Sequence, residues 1–174
     1  MKVKSVKTLV LRVLAILLSL AAMISMAGGA YFTQTSGGSL SGESASVSFG
    51  DWFESLNSDF SGLIEAEGTW KGSEAFFIIS IIMLSLLIIA IVLQFFIKKN
   101  WLQITVRVLS IVAFIAVLIA FVLLLAGCLQ MHTEGLGVSH SYIPAVGAWL
   151  FLVFGLIGSA LGIVCGSKLK NAKR

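Results

Sequence analysis

The stretch AFFIISIIMLSLLIIAIVLQFFI, residues 75 to 97, contains no residue that is charged at neutral pH. At about 1.5 Å per helical residue, it is long enough to cross the roughly 30 Å hydrocarbon core of a bilayer. Bulky Ile and Leu side chains recur on every face of such a helix, so none of its faces is suited to water. The stretch therefore predicts a transmembrane helix that contacts lipid over much of its surface.

Three more stretches have the length and composition of a span, near residues 8–27, 102–130 and 143–166. The 174-residue chain is 58% hydrophobic and only 11% charged, and its mean hydropathy is +1.03. A water-soluble fold of this size cannot bury so much apolar surface, whereas a bilayer accepts it around each helix. We therefore predict an all-α integral membrane protein. Residues 1–174 form a single four-span domain, a four-helix transmembrane bundle with a small extracellular segment that contains an amphipathic helix.

Charged residues divide the chain between two sides of a membrane. Eleven of the twelve Lys and Arg residues lie near the start of the first span, near the turn between the second and third spans, or in the tail. The eight acidic residues lie in or beside the other two connections, residues 28–73 and 131–142: Glu43, Asp51, Glu54, Asp59, Glu65, Glu67, Glu74 and Glu134. Because cytoplasmic loops are enriched in Lys and Arg, we expect a multi-pass plasma membrane protein with both termini cytoplasmic. The basic ends then contact membrane lipid, and no nucleic-acid partner is implied.

The first span has a second interpretation. Residues 1 to 27, MKVKSVKTLVLRVLAILLSLAAMISMA, have the basic, apolar and small-residue sections of a signal peptide, with Ser25 and Ala27 at suitable cleavage positions. The apolar run is longer than a typical signal core, which favours a retained span. Cleavage would leave three spans with the same side outside.

Small residues recur at helical spacing in the fourth span. Gly158, Gly162 and Gly166 are four residues apart, and Gly155 and Ser159 form a neighbouring ridge. Small side chains let two helix backbones approach closely in lipid, so these five are the predicted helix-packing residues. The third span has a matching seam: Ala113, Ala116, Ala120 and Gly127. Ridge and seam meet within one chain in the favoured interpretation, and join a second copy or a partner in the alternative.

Aromatic and basic side chains near the span ends fit a membrane boundary. Four rings are expected at the level of the lipid headgroups: Tyr31, Trp70, Trp101 and Tyr142. Arg12 and Arg107 lie one or two turns inside the inner boundary, where their long side chains can reach lipid phosphates. Snorkelling of this kind is the expected behaviour, and the alternatives are a bound acidic lipid or a pair of functional cations.

The first outer connection contains GDWFESLNSDFSGLIEAEG, residues 50 to 68. Its apolar residues recur on one helical face and are the predicted partner-binding residues: Trp52, Phe53, Leu56, Phe60, Leu63 and Ile64. Ser48 and Asp51 form a predicted capping pair, and Gly68 is a predicted stop. Acidic residues on the opposite face disfavour binding to anionic lipid. The apolar face is therefore expected to cap the spans or to bind another protein.

The Gly- and Ser-rich stretch before this helix, residues 36–49, predicts a flexible lead-in. Residues 45–49, ASVSF, alternate well enough to form a short strand instead.

Residues that perform chemistry are scarce. No Asp, Glu, Lys or His lies in the middle of a span, and the chain has no P-loop, dinucleotide-binding glycine pattern or nucleophile elbow. One cluster follows the third span: Cys128, Met131, His132, Glu134 and His140. Two of these at helical spacing plus a loop residue are a weak metal signal. We therefore expect no enzyme, no metal, no cofactor and no small-molecule substrate.

The layout resembles the claudin and peripheral-myelin-protein superfamily of four-span proteins. SYIPAVGAW, residues 141–149, and GLIGSALGIVCG, residues 155–166, are similar to the Tyr, Gly-x-Trp and Gly-rich pattern of that superfamily's fourth span. The resemblance implies an external sheet that a disulfide braces in the first loop. Here Ile64 follows Gly62-Leu63 where the superfamily has Trp, and residues 28–73 contain no cysteine. The braced sheet and a junction-sealing role are therefore left without support from the sequence.

Together these features predict a non-enzymatic protein that acts by protein–protein contact with another membrane protein or with itself. It would serve as an accessory subunit, membrane organiser or self-associating scaffold, through its fourth span and its acidic external helix. Two alternatives stay open: a small oligomeric channel or transporter whose acidic outer face concentrates cations, and an immunity protein against a membrane-active toxin.

Overall fold

The computed structural model describes residues 3–37, 43–56, 67–97, 99–130, 133–135 and 138–167. Helices and strands follow one another in this order: α1 (Val3–Gly28), β1 (Ala30–Gly37), β2 (Glu43–Ser48), α2 (Phe49–Leu56), α3 (Glu67–Phe96), α4 (Asn100–Gln130), β3 (Thr133–Gly135), β4 (Val138–Pro144) and α5 (Val146–Ser167).

Four helices are long and apolar enough to cross a membrane, over Val6–Gly28, Gly68–Phe96, Asn100–Gln130 and Val146–Gly166. They confirm the predicted all-α four-helix membrane bundle and hence a multi-pass membrane protein. Two helix boundaries differ from the predicted spans. Helix α3, which contains the second span, begins at Glu67, and Ile143, the predicted start of the fourth span, lies in β4, paired with Thr33.

The four long helices form a ring in the order α1, α3, α4, α5. Close pairs are antiparallel: Ser19 of α1 lies beside Gly158 of α5, and Trp70 of α3 lies beside Gly127 of α4. α1 begins, α5 ends and α3 turns into α4 at one end of the bundle, which we call the terminal end. The opposite end is the sheet end. The α1–α3 pair is the loosest of the four neighbouring pairs.

A four-stranded antiparallel sheet with the order β2-β1-β4-β3 joins the two connections at the sheet end. β1 pairs with β4 from Phe32↔Pro144 to Gly37↔Ser139, so segments about a hundred residues apart in the chain lie side by side. The predicted flexible lead-in was wrong for residues 43–48, which form β2, as their alternation allowed. The sheet forms although residues 28–73 contain no cysteine.

The short helix α2 begins at the predicted capping pair. The Asp51 backbone N–H donates to the Ser48 hydroxyl at 3.2 Å, and that hydroxyl donates to the Asp51 carboxylate at 2.6 Å. The hydroxyl thus satisfies one of the amides that a helix start leaves without an intrahelical acceptor. The predicted stop at Gly68 was wrong, because Gly68 lies in the first turn of α3.

Replacing Ser48 by alanine is expected to destabilise α2 by about 1 kcal/mol, since the Asp51 amide then has no side-chain acceptor. Amide hydrogen exchange across residues 49–56 should accelerate several-fold. Ser44→Ala, at an exposed position of β2, is the control and should leave that exchange unchanged. Equal exchange in both variants would show that the cap contributes nothing.

The start of α5 touches the end of α1 backbone to backbone. A Cβ atom placed on Gly147 would lie 2.5 Å from the Ala30 carbonyl oxygen and 3.0 Å from the Gly29 Cα. A Cβ on Gly29 would lie 2.8 Å from the Gly147 Cα. Three turns further along the same pair, a Cβ on Gly158 would lie 2.9 Å from the Ser19 hydroxyl and 3.1 Å from the Ser19 backbone nitrogen. Only glycine fits these contacts, because backbone atoms cannot move aside.

The other glycines of the ridge face α4. A Cβ on Gly155 would lie 3.1 Å from Val117, one on Gly166 would lie 2.8 Å from the Arg107 Cβ, and Gly162 faces the Ser110 hydroxyl. Ser159 is buried, and its hydroxyl donates to the Gly155 carbonyl at 2.7 Å. All five predicted helix-packing residues therefore lie against groups of their own chain.

The small-residue seam of α4 is buried, but α5 does not occupy all of it. At the sheet end Gly127 packs on α3, where a Cβ would lie 3.0 Å from the Trp70 ring. The Ala120 carbonyl accepts a hydrogen bond from Ser73 of α3 at 3.1 Å. Ala113 and Ala116 are also buried. The seam is thus a surface that α3 shares, rather than a groove for α5 alone.

Candidate functional site

A cluster of aromatic rings lies between the sheet and the helical bundle. Its members are Tyr31, Phe32, Phe49, Trp52, Trp70 and Phe77, and we call it the aromatic cluster. Trp70 is fully buried, with its ring centroid 4.8 Å from that of Trp52 and 5.0 Å from that of Phe32. Offset and edge-to-face rings at such distances contribute about 0.5–1.5 kcal/mol per pair beyond the area they bury.

The aromatic cluster ties together elements that are distant in the chain. Phe32 belongs to β1, Trp52 to α2 and Trp70 to α3. Phe77 of α3 extends the contact to Phe151 of α5, with ring centroids 5.0 Å apart. The sheet and α2 are therefore held on the bundle as one folded unit.

Tyr31 and Trp70, which we expected at the headgroup level, are both completely buried in the aromatic cluster. Both residues do lie near the ends of long helices. The sheet covers that end of the bundle, however, so neither ring is exposed. Trp101 is 55% exposed and Tyr142 is half-buried.

Two hydroxyl groups connect the sheet to α4. The Tyr31 and Ser73 hydroxyl oxygens are 2.7 Å apart, and Ser73 donates to the Ala120 carbonyl. Because Ser73 has one proton to give, Tyr31 is the donor in the first bond. Burial raises the pKa of the Tyr31 hydroxyl well above its ordinary value of about 10.

The raised pKa predicts a loss of stability at high pH. Tyr31 of the unfolded chain releases its proton near pH 10, whereas the folded chain retains it, so the folded state binds more protons above that pH. The contribution of Tyr31 to the free energy of unfolding is therefore fully present below about pH 10. Above that pH it falls by at most about 1.4 kcal/mol per pH unit. Tyr31→Phe is expected to cost about 1 kcal/mol near pH 8 through the lost hydrogen bond.

The difference in unfolding free energy between the wild type and Tyr31→Phe should therefore shrink or reverse near pH 11. Thermal unfolding in detergent at both pH values measures it. A difference that is the same at both would contradict this role of Tyr31.

The six predicted partner-binding residues have different fates. Trp52 is half-buried in the aromatic cluster, so it caps the bundle. Phe53 is 40% exposed, with its ring 6.4 Å from that of Phe49. The remaining positions, the Leu56 side chain and Phe60, Leu63 and Ile64, lie outside the described residues. Of the two expected functions of the apolar face, capping and partner binding, Trp52 serves the first, and Phe53 stays 40% exposed at the surface.

An acidic surface adjoins Phe53. Asp51 and Glu54 are both exposed on α2. Glu74 of α3, in contrast, is only 7% exposed, close to the aromatic cluster. We refer to Phe53, Asp51 and Glu54 as the α2 face.

The weak metal cluster of the sequence is not assembled in the described part of the chain. Cys128 is a buried free thiol on α4, and Glu134 and His140 lie on the neighbouring strands β3 and β4. Met131 and His132 lie outside the described residues. Among the described residues, no three His, Cys, Asp or Glu side chains are placed to hold a metal ion.

Two features of the sheet end were not predicted from the sequence. The contact of Gly29 with Gly147 joins distant parts of the chain, and only the position of Gly147 in the Gly-x-Trp pattern hinted at it. The pairing of β1 with β4 had no local signal at all. No family model and no curated protein matches the chain, so its own geometry is the basis for assigning a function.

Proposed function

We propose that this chain acts by protein–protein contact in its membrane, and that the α2 face is the surface that a partner binds. The observation that supports this most strongly is the exposure of Phe53, together with the exposed carboxylates of Asp51 and Glu54, on a short helix that Trp52 holds in place. A surface already fixed in its bound form avoids the free-energy cost of ordering a loop on binding.

The ridge of α5 serves this function only indirectly. Its glycines contact α1 and α4 of the same chain, so they stabilise the bundle that presents the α2 face. The contact surface of the proposal is accordingly the sheet end, rather than the fourth span.

The chemistry of the α2 face defines the partner. An exposed aromatic ring on a short helix that also carries two exposed carboxylates suits a protein surface that offers an apolar pocket and nearby Lys or Arg. Association should then slow as ionic strength rises, because the charges that accelerate encounter are screened.

The proposal includes an orientation. Lys7, Arg12, Lys99 and Arg107 lie toward the terminal end, and the acidic residues of the described part lie at the sheet end. The bias of Lys and Arg toward the cytoplasm supports cytoplasmic termini and an outward-facing sheet in the cell membrane.

Photocrosslinking tests the α2 face. A photoreactive phenylalanine analogue at position 53 should give one discrete protein adduct in native membranes, and Asp51→Asn with Glu54→Gln should reduce its yield several-fold. The same analogue at Phe96, which is 80% exposed at the opposite end, is the matched control. The proposal fails if position 53 gives lipid adducts alone, or if position 96 gives the same protein adduct.

Reconstituted protein separates contact from transport. Purified chain in liposomes is expected to move no cation and to catalyse no reaction. A cation flux that falls when Glu54 is neutralised would replace the contact proposal by the channel alternative.

A further inference from the structure

Arg12 lies on the buried stripe of α1. Residues three, seven, ten and fourteen positions after it are all buried: Ala15, Ser19, Ala22 and Met26. This spacing places them on one helical face together with Arg12. Arg12 is therefore directed toward the neighbouring helices. A side chain that only reaches toward the lipid headgroups would not need to lie on the buried face of α1.

The guanidinium of Arg12 contacts α3. Its central carbon lies 5.6 Å from the centroid of the Phe95 ring, within the range of a cation–π contact. Its Nε is buried and has no hydrogen-bond partner among the described residues. The contact lies at the terminal end of α1 and α3, the loosest pair of the ring.

No carboxylate of the described part is in a position to neutralise this charge. The acidic residues there lie in β2, in α2, in the first two turns of α3 and in β3, all at the sheet end. Arg12 precedes the end of α1 by sixteen residues, which corresponds to about 24 Å along a helix. A cation at this depth in an apolar span needs an anion or strong hydration.

A second cation lies at the same level. Ser19 lies beside Gly158, so the antiparallel register places Arg12, two turns earlier, level with Cys165 of α5. Arg107 of α4 contacts the next residue, Gly166. Positive charge is thus concentrated at the terminal end on both sides of α5, which raises the local affinity for an anion.

We propose that Arg12 and Phe95 form a binding site for the phosphate of an anionic phospholipid at the terminal end of the α1–α3 pair. The planar guanidinium offers paired N–H donors that match two phosphate oxygens, and the ring keeps its plane in place. The acyl chains then lie along exposed apolar side chains of the same two helices, such as Leu17 of α1 and Ile89 of α3, each 55% exposed.

Lipid titration of the detergent-purified full chain tests this site. Phosphatidylglycerol is added to delipidated protein, and bound lipid is counted by native mass spectrometry. Arg12→Gln should weaken its binding by roughly tenfold, as expected for loss of a charge-assisted hydrogen bond. Lys7→Gln is the matched control, because Lys7 is an exposed cation on the same helix. It should change binding less than about twofold.

Two further variants separate charge from geometry. Arg12→Lys retains the charge but loses the planar fork, and Phe95→Leu retains Arg12 but removes the ring. Each should weaken binding less than Arg12→Gln but more than Lys7→Gln. A thermal unfolding curve in phosphatidylcholine nanodiscs checks that each variant is folded. If Arg12→Gln is not folded, the comparison of Phe95→Leu with the wild type tests the site.

Three results would overturn the proposal. Phosphatidylglycerol binding that is unchanged in Arg12→Gln and Phe95→Leu would remove the site. An equal loss in Lys7→Gln would show diffuse attraction instead of a site. If millimolar inorganic phosphate displaces the lipid and binds the site as strongly as the lipid does, free phosphate is the ligand.

Discussion

Alanine at Gly147 is expected to lower the free energy of unfolding by about 3 kcal/mol, through a single added methyl group. The methyl carbon would lie 2.5 Å from the Ala30 carbonyl oxygen and 3.0 Å from Gly29, and both are backbone atoms. The backbone here is held by β1–β4 pairing and by the hydrogen bond from the Ala145 N–H to the Tyr31 carbonyl at 3.1 Å. Relief would require α5 to move away from α1, which would open the glycine contact between them.

Thermal unfolding of the purified protein in detergent measures this loss. Gly29→Ala should show a similar loss, because its methyl group would meet the same contact from the other side. Gly28→Ala is the matched control. A Cβ at Gly28 would have no neighbour within 4 Å, so this variant should be neutral or slightly stabilising. Equal stability of the Gly28 and Gly147 variants would show that the two backbones are not in contact.

Removing the Trp70 ring is expected to cost about 4 kcal/mol, the range for truncating a large buried aromatic side chain. Trp70 is fully buried and contacts three rings of the aromatic cluster besides Gly127. Trp70→Ala leaves a cavity between the sheet, α2 and α4. Because the aromatic cluster joins these elements, α2 should also become accessible to protease in the variant at temperatures where the bundle is still folded.

Trp101→Ala is the control for Trp70→Ala. Trp101 is 55% exposed near the start of α4, at the terminal end. Its removal should change stability by less than about 1 kcal/mol and should leave cleavage at α2 unchanged. If both tryptophan variants lose equal stability, or if α2 stays protected in Trp70→Ala, the aromatic cluster does not hold the sheet end together.

The bundle was predictable because hydrocarbon imposes it. A run such as residues 75–97 has no folded alternative in water, and its length matches the bilayer. The cap at Ser48 and Asp51 was equally predictable, since its residues are one turn apart and need no information from elsewhere in the chain. Local patterns of this kind can be interpreted directly from the sequence.

The sheet end was less predictable because its contacts are long-range. β1 and β4 come from different connections, and the Ser-rich strand β2 has Val47 as its one branched residue and no aromatic residue. The burial of Tyr31 and Trp70 depends on that sheet, so both were placed in the lipid headgroup region. The approach of Gly29 to Gly147 likewise depends on how α1 and α5 pack. For α2, the residues predicted the helix and its acidic side. They did not predict that Trp52 would pack in the aromatic cluster while Phe53 stays exposed.

Sided cysteine labelling tests the account most directly, because the proposed contact surface requires the sheet end to face outward. Ser44→Cys and Asn100→Cys replace exposed residues at the sheet end and the terminal end, and the native Cys128 and Cys165 are both buried. In intact cells, a membrane-impermeant maleimide should label Ser44→Cys and should label Asn100→Cys only after permeabilisation. Labelling of Asn100→Cys in intact cells, with Ser44→Cys protected, would contradict the orientation and the proposed function with it.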